Sequence, residues 1–291
     1  MSIKRILVPI AAVDDIEPVA VSAMTIARMF NGHVRFFYQR NGGEAPGELL
    51  HSFGAVPMSQ FSTLLDSHRQ EIESKTHAVR SRLDSVVQGY GLVLIDEPAA
   101  SEGPMVSWRE TDEPIVDVVG HVGGVSDLIV VGQPTSTHED PVKTPMGAAL
   151  FGSGRPVLMI PDERTVALDR RVVIGWNRSV QAGRGVTSAL PFLQQAASVE
   201  IISIVTGAKR GPSAHELADY LSWHGIEPVV KEVEPEGHRA VGDMLLDQAE
   251  AAGADLLVMG AYSHSRLRDM LWGGVTKHIV AHAKLPVLMA H

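Results

Sequence analysis

The chain repeats itself, and that constrains its fold more than any single residue does. Asp127-Leu128-Ile129-Val130-Val131-Gly132 matches Asp255-Leu256-Leu257-Val258-Met259-Gly260, 128 positions later. Arg155-Pro156-Val157-Leu158-Met159 matches Leu285-Pro286-Val287-Leu288-Met289 at a spacing of 130, and Lys4-Arg5-Ile6-Leu7-Val8 matches Arg170-Arg171-Val172-Val173-Ile174 at 166. Self-similarity at this period means a duplicated structural unit. The larger early spacing places 166 − 130 = 36 additional residues in the first copy, between its first and fourth strands. A length of 291 residues suits two domains. They are expected at 1–162 and 168–291, joined by a polar, proline-initiated junction.

Within each copy the apolar runs are short, continuous and rich in Val, Ile and Leu, the pattern of parallel strands covered on both faces. In the second copy strands are expected at 171–175, 199–205, 228–233, 255–260 and 286–290. Helical stretches fall between them at 182–195, 213–224 (Ser213 as N-cap), 240–252 and 274–283. In the first copy the strands are expected at 5–10, 34–38, 105–109, 127–132 and 156–160. Its additional length lies in a Gly- and Pro-containing loop at 41–57 and a helix near 61–88. Strict alternation of strand and helix predicts α/β architecture: two doubly wound five-stranded parallel-sheet domains.

Composition removes several function classes. The net charge is 25 − 34 = −9, which argues against a nucleic-acid partner and an anionic-membrane anchor. There is no cysteine, so disulfides, thiolate nucleophiles and Cys-based metal sites are excluded. No apolar run approaches the ~18 residues of a spanning helix. The N-terminal stretch is broken by Pro9 and ended by Asp14-Asp15, and reads as a buried first strand. A cytoplasmic location is the expectation.

Ligands of parallel α/β sheets bind beyond the carboxyl ends of the strands, where strand order reverses. The informative segment therefore follows the fourth strand of the second copy. Gly260, Ser263, Gly273 and Gly274 place small residues at the strand exit and at the next helix start, where open N–H groups and the helix dipole favour an anion. His264, Arg266 and Arg268 add cationic donors, although as loop residues they also suit plain solvent exposure. The same glycines equally suit a turn and a helix entry.

In these residues the chain resembles a tandem universal stress protein. Nucleotide-binding members of that family carry Gly, two residues, Gly, nine residues, Gly and Ser or Thr after the fourth strand. Gly260 and Gly273 fill the first and third glycines, Ser263 stands at the second, and Gly274 replaces the Ser or Thr. The resemblance implies an adenine nucleotide alpha hydrolase-like fold and one adenine nucleotide, ATP or AMP, in the second domain. Ser263, Gly273, Gly274 and Thr276 would cradle its phosphates and Asn177 would hold the ribose, in place of the family's usual acidic residue. Val205 and Met259 would line the base. It also implies an intrachain pseudo-dimer, in which 156–160 and 286–290 pair antiparallel and hide their edges.

The first copy departs further. Gly132 and Gly147 are too far apart for the motif, and Pro134, Pro141 and Pro145 stiffen the loop. Glu139 and Asp140 oppose a phosphate, so this copy reads as structural although Asp14 or Asp15 supplies the acid. His278 and His282 have the spacing of a two-His metal site but lack a third ligand and read as a solvated helix face. The four tryptophans read chiefly as packing residues, with Trp176 and Trp272 placed where either would also flank a base. No nucleophile elbow, P-loop or zincin motif is present, and no catalytic residue is assigned. The expected role is binding in a stress response. A nucleotide-free interaction scaffold with protein partners, itself able to form homo-oligomers, and a slow ATPase are the alternatives.

Overall fold

The computed structural model describes residues 2–10, 16–40, 58–96, 103–134, 144–162, 164–167, 171–205, 211–262 and 274–291. The loop at 41–57, Asp14 and Asp15, and residues 263–273 with Ser263, His264, Arg266, Arg268, Asp269, Trp272 and Gly273 lie outside the described residues.

The first half runs β1 (Arg5–Ile10), α1 (Ile16–Phe30), β2 (His33–Gln39), α2 (Met58–Gly89), β3 (Leu94–Ile95), β4 (Met105–Thr111), α3 (Ile115–Gly123), β5 (Leu128–Gly132), α4 (Pro145–Gly152) and β6 (Val157–Ile160). The second runs β7 (Arg171–Gly175), α5 (Val180–Leu193), β8 (Ser198–Ile204), α6 (Ala214–Ser222), β9 (Val229–Val233), α7 (Val241–Ala251), β10 (Leu256–Gly260), α8 (Gly274–His282) and β11 (Val287–Ala290). All strands join one 11-stranded sheet in the order β3-β4-β2-β1-β5-β6-β11-β10-β7-β8-β9. Pairing is parallel throughout except at the centre. There β6 and β11 run antiparallel, with Met159 opposite Val287 and Val157 opposite Met289. Each half's otherwise open edge is thereby closed by the other, as expected from 156–160 and 286–290.

The repeated aspartates have a structural cause. Asp127 Oδ2 accepts the N–H groups of Lys4 and Arg5 at 2.8 and 2.9 Å, and Asp255 Oδ2 accepts that of Arg171 at 3.2 Å. Each pins the start of its half's first strand to the fourth. Two apolar layers cover the two faces of the sheet, and both run through both halves. Helix α6 begins where expected: Ser213 Oγ accepts the Glu216 N–H at 3.2 Å and Glu216 Oε2 accepts the Ser213 N–H at 2.7 Å, a reciprocal capping box.

Three expectations need correction. The first half has a sixth strand, the two-residue β3 at the sheet edge. Strand β9 is not covered on both faces: as the opposite edge it leaves Val229 exposed. Trp223 does not pack, being 89% exposed at the end of α6. Trp108 and Trp176 are buried; Trp108 stacks on Tyr38 with ring centroids 5.4 Å apart.

Candidate functional site

The reversal of strand order in the second half falls between β7 and β10, which pair in parallel with Met259 beside Gly175. From β7 the chain leaves through α5 to β8 on one side, whereas β10 leads through α8 to β11 on the other. Gly175 and Gly260 end adjacent strands at this reversal, the place where parallel α/β sheets hold their ligands.

Gly260 is fixed there by packing. A Cβ on it would lie 2.4 Å from Ala182 N and 2.6 Å from Gln181 C, in the first turn of α5. Gly185 answers from the helix, where a Cβ would lie 2.8 Å from Met259 O. Helix α5 therefore rests directly on the backbone of β10, as two facing glycines permit.

The turn from β7 into α5 uses Asn177. Its Oδ1 accepts the Ser179 N–H at 3.2 Å, and Ser179 Oγ accepts the Ala182 N–H at 3.0 Å as N-cap. Arg178 between them has φ +64°. The Asn177 carbonyl oxygen is thus an acceptor within a local turn. Trp176 is held by its indole, whose Nε1–H donates to Pro212 O at 2.9 Å. Packing is therefore its role in this structure.

The remaining assigned residues are partly dispersed. Val205 lies just past β8, half-buried, its N–H donating to Val233 O at 3.0 Å. Met259 is 5% exposed among Ile202, Leu245 and their neighbours, so its side chain offers a ligand little surface. Gly274 opens α8, and among the described residues a Cβ there would meet nothing within 4 Å. Thr276 is buried, and its Oγ1 accepts the Tyr262 N–H at 3.2 Å. That bond ties together the two ends of the segment 263–273. Sequence spacing placed Thr276 at the helix entry but could not show that its hydroxyl closes the base of the loop.

Tyr262, at φ +56°, turns its ring toward the first half. It packs 4.9 Å from Phe151 of α4, and Phe151 in turn contacts His291 at 4.9 Å. Burial pushes the phenol pKa well above its ordinary value, so the hydroxyl stays protonated. The base of the loop is therefore anchored across the central seam, which the linear sequence gave no sign of.

The first half builds the corresponding position differently. Among the described residues, Gly132 at the end of β5 has only Val19 Cγ2 near its missing Cβ, at 3.5 Å. Helix α4 starts with Pro145, which has no N–H to offer, and Thr144 Oγ1 accepts the Gly147 N–H at 3.1 Å. An anion at this helix start would face a missing donor and an occupied one.

His278 and His282 are not simply solvated. Their rings stack at 4.2 Å, His278 Nε2 lies 2.8 Å from Asp243 Oδ1 without hydrogen-bond alignment, and Gly242 leaves space for the His278 ring. Among the described residues, no three His, Asp or Glu side chains are grouped to hold a metal. No helix among them is long and apolar enough to cross a membrane.

Comparison with known proteins agrees with this architecture. Residues 195–291 match the model of the Universal stress protein family. The chain is similar to a universal stress protein from Archaeoglobus fulgidus DSM 4304 of known crystal structure, at 14% identity and a TM-score of 0.68 over 98% of this chain and 95% of that one. It also resembles a functionally unknown protein from Pseudomonas aeruginosa PAO1, at 14% identity and a TM-score of 0.51, covering 99% and 92% of the two chains. At such identity the likeness is one of fold. No curated protein sequence matches.

Proposed function

From the match of residues 195–291 to the model of the Universal stress protein family, we propose that the chain is a universal stress protein and that it binds one adenine nucleotide, ATP or AMP, beyond β7 and β10. It acts through binding rather than turnover. The two domains, 1–162 and 168–291, then form an intrachain pseudo-dimer with a single loaded site. The observation that carries this reading is the contrast between the two helix entries. In the second half α8 opens with the exposed Gly274, beside which a Cβ would meet no atom of the described residues within 4 Å. In the first, Pro145 and Thr144 close the same position. Backbone N–H groups at the start of α8, with the helix dipole behind them, suit a phosphate. Ser263, Gly273 and Gly274 supply the loop, and Asn177 and Val205 border the ribose and base.

One observation favours a second reading, a nucleotide-free scaffold. Gly260, Asn177 and Thr276 all have structural roles within the chain itself, so their presence does not require a ligand. The experiment that separates the readings starts with freshly purified protein: denature it, identify released small molecules by chromatography, and titrate ATP and AMP by calorimetry. Near one adenine nucleotide per chain, lost in Gly273→Asp, is the expected result. Gly274→Ser restores the family's hydroxyl at this exposed helix start and should tighten nucleotide by up to roughly tenfold, the worth of one charge-assisted hydrogen bond. An empty protein that gives no heat with either nucleotide would leave the scaffold. Phosphate release from added ATP would instead point to the slow ATPase.

A further inference from the structure

Seven large hydrophobic side chains are exposed among the described residues, and three of them, Tyr220, Trp223 and Val229, fall within ten consecutive positions. Trp223 is the most exposed of the seven, at 89%. A single exposed apolar residue needs no explanation, but a cluster led by an indole is the composition of a contact surface.

The first half shows that the fold itself does not require an aromatic there. Helices α2 and α6 end in the same turn. Leu92 donates its N–H to Val87 O at 3.0 Å past Gly91 (φ +72°), and Ile226 donates to Leu221 O at 3.1 Å past Gly225 (φ +74°). The turns are 226 − 92 = 134 positions apart, and at that spacing the buried Leu83 and Val87 match the buried Leu217 and Leu221. Gly89 then stands where α6 has Trp223, and among the described residues a Cβ on Gly89 would meet nothing within 4 Å. Val86 stands at Tyr220, Ser85 at Asp219 and Arg82 at Glu216. Ile226, 5% exposed, supplies the apolar closure of the turn, so the indole is not needed for it.

Helical spacing puts Glu216, Asp219, Tyr220 and Trp223 on one face, three, four and seven residues apart. All four are exposed, as is Glu227 just beyond the turn. The Tyr220 ring rests against that of His224, with centroids 4.8 Å apart in edge contact. Residues 212–230 contain the carboxylates of Glu216, Asp219 and Glu227 and no Lys or Arg. Aromatic rings among unopposed carboxylates suit a cation that stacks and pairs at once, as a planar guanidinium does. A second copy of this chain would present the same acidic face and be repelled.

We propose that the exposed face of α6 formed by Glu216, Asp219, Tyr220 and Trp223 is a docking site for an arginine-bearing basic segment of a partner protein, one guanidinium stacking on the Trp223 indole and pairing with Asp219. None of these residues is assigned to the nucleotide, so the proposal stands whether or not the chain binds one.

The probe is a short fluorescent peptide of alternating arginine and glycine, titrated with the full chain by anisotropy at low salt. Saturable binding is expected, on the order of 100 µM for so small a contact. Trp223→Ala should weaken it about fivefold and Asp219→Asn about threefold. Both positions are exposed, so neither change should move the thermal unfolding midpoint. Lysine in place of the peptide's arginines should also weaken binding, because an ammonium cannot stack and pair together. No saturation up to about 1 mM overturns the proposal. So does unchanged affinity in Trp223→Ala, which would reduce the contact to general attraction between a cationic peptide and an acidic protein. Self-association in sedimentation that is lost in Trp223→Ala would overturn it too, making the face a contact between copies.

Discussion

The strand exits at β5 and β10 are built on corresponding elements yet differ in how closely a helix approaches the sheet. In the second half Gly185 and Gly260 face each other, and α5 lies against the β10 backbone. In the first half Val19 takes the place of Gly185 and meets Gly132 in ordinary van der Waals contact. The helix entries diverge likewise, Gly274 against the Thr144–Pro145 cap. One fold can therefore carry an exposed glycine at a helix entry in one copy and a Thr–Pro cap in the other. The difference rests on a few residues of the helix–strand contact and the cap, while the strand order is shared.

The sharpest way to break this comparison is to add one methyl to each glycine. Gly260→Ala puts a Cβ against backbone atoms that cannot step aside, and should cost about 3 kcal/mol in urea unfolding. Among the described residues Gly132→Ala meets only a valine methyl at 3.5 Å, and it should change stability by less than about 1 kcal/mol. Equal effects would mean that the two contacts are alike after all.

A second asymmetry is titratable. His33 in β2, whose Nε2 lies 2.7 Å from Ser107 Oγ, is held neutral down to about pH 4, chiefly by burial and further by Arg35 and Arg5. The register of the two halves places Ser198 at the equivalent position. Between pH 6.5 and 4 the unfolded chain takes up a proton at this histidine that the folded chain does not. Stability is therefore full above pH 6.5 and falls as pH drops through that window. The loss should be on the order of 1–2 kcal/mol once solvent screening at a half-buried ring is allowed for. His33→Gln should flatten the part of the unfolding profile that this ring causes, as urea midpoints at several pH values would show.

The smallest effect tests helix α1 against its counterpart α5. Ser22→Ala leaves the Val166 N–H without its acceptor and should cost about 1 kcal/mol in thermal or urea unfolding. Ser188→Ala, at the corresponding and only half-buried position of α5, should leave stability unchanged within about 0.5 kcal/mol.

Much of the fold was legible because its signals are local. Continuous Val, Ile and Leu runs marked the strands, matched segments at 127–132 and 255–260 exposed the duplication, and Ser213 three residues before Glu216 marked a helix start. Strand β3 escaped because two residues carry no period. Trp223 misled because aromaticity suggests burial without saying which side of a helix end faces water. At the site, glycine spacing located Gly260 and Gly274 but could not distinguish them: one is forced by a helix backbone, the other meets nothing among the described residues.

The sequence by itself determined two α/β units, their alternation of strand and helix, and where each strand would leave a loop. Those properties follow from side-chain periodicity and backbone propensity, which act over a few residues. Tertiary structure alone decided that α5 lies against β10, that Thr276 accepts the Tyr262 N–H, and that the segment after β6 covers Ser22. Each of these depends on atoms distant in the chain meeting within hydrogen-bond or van der Waals reach, and no local pattern records that meeting.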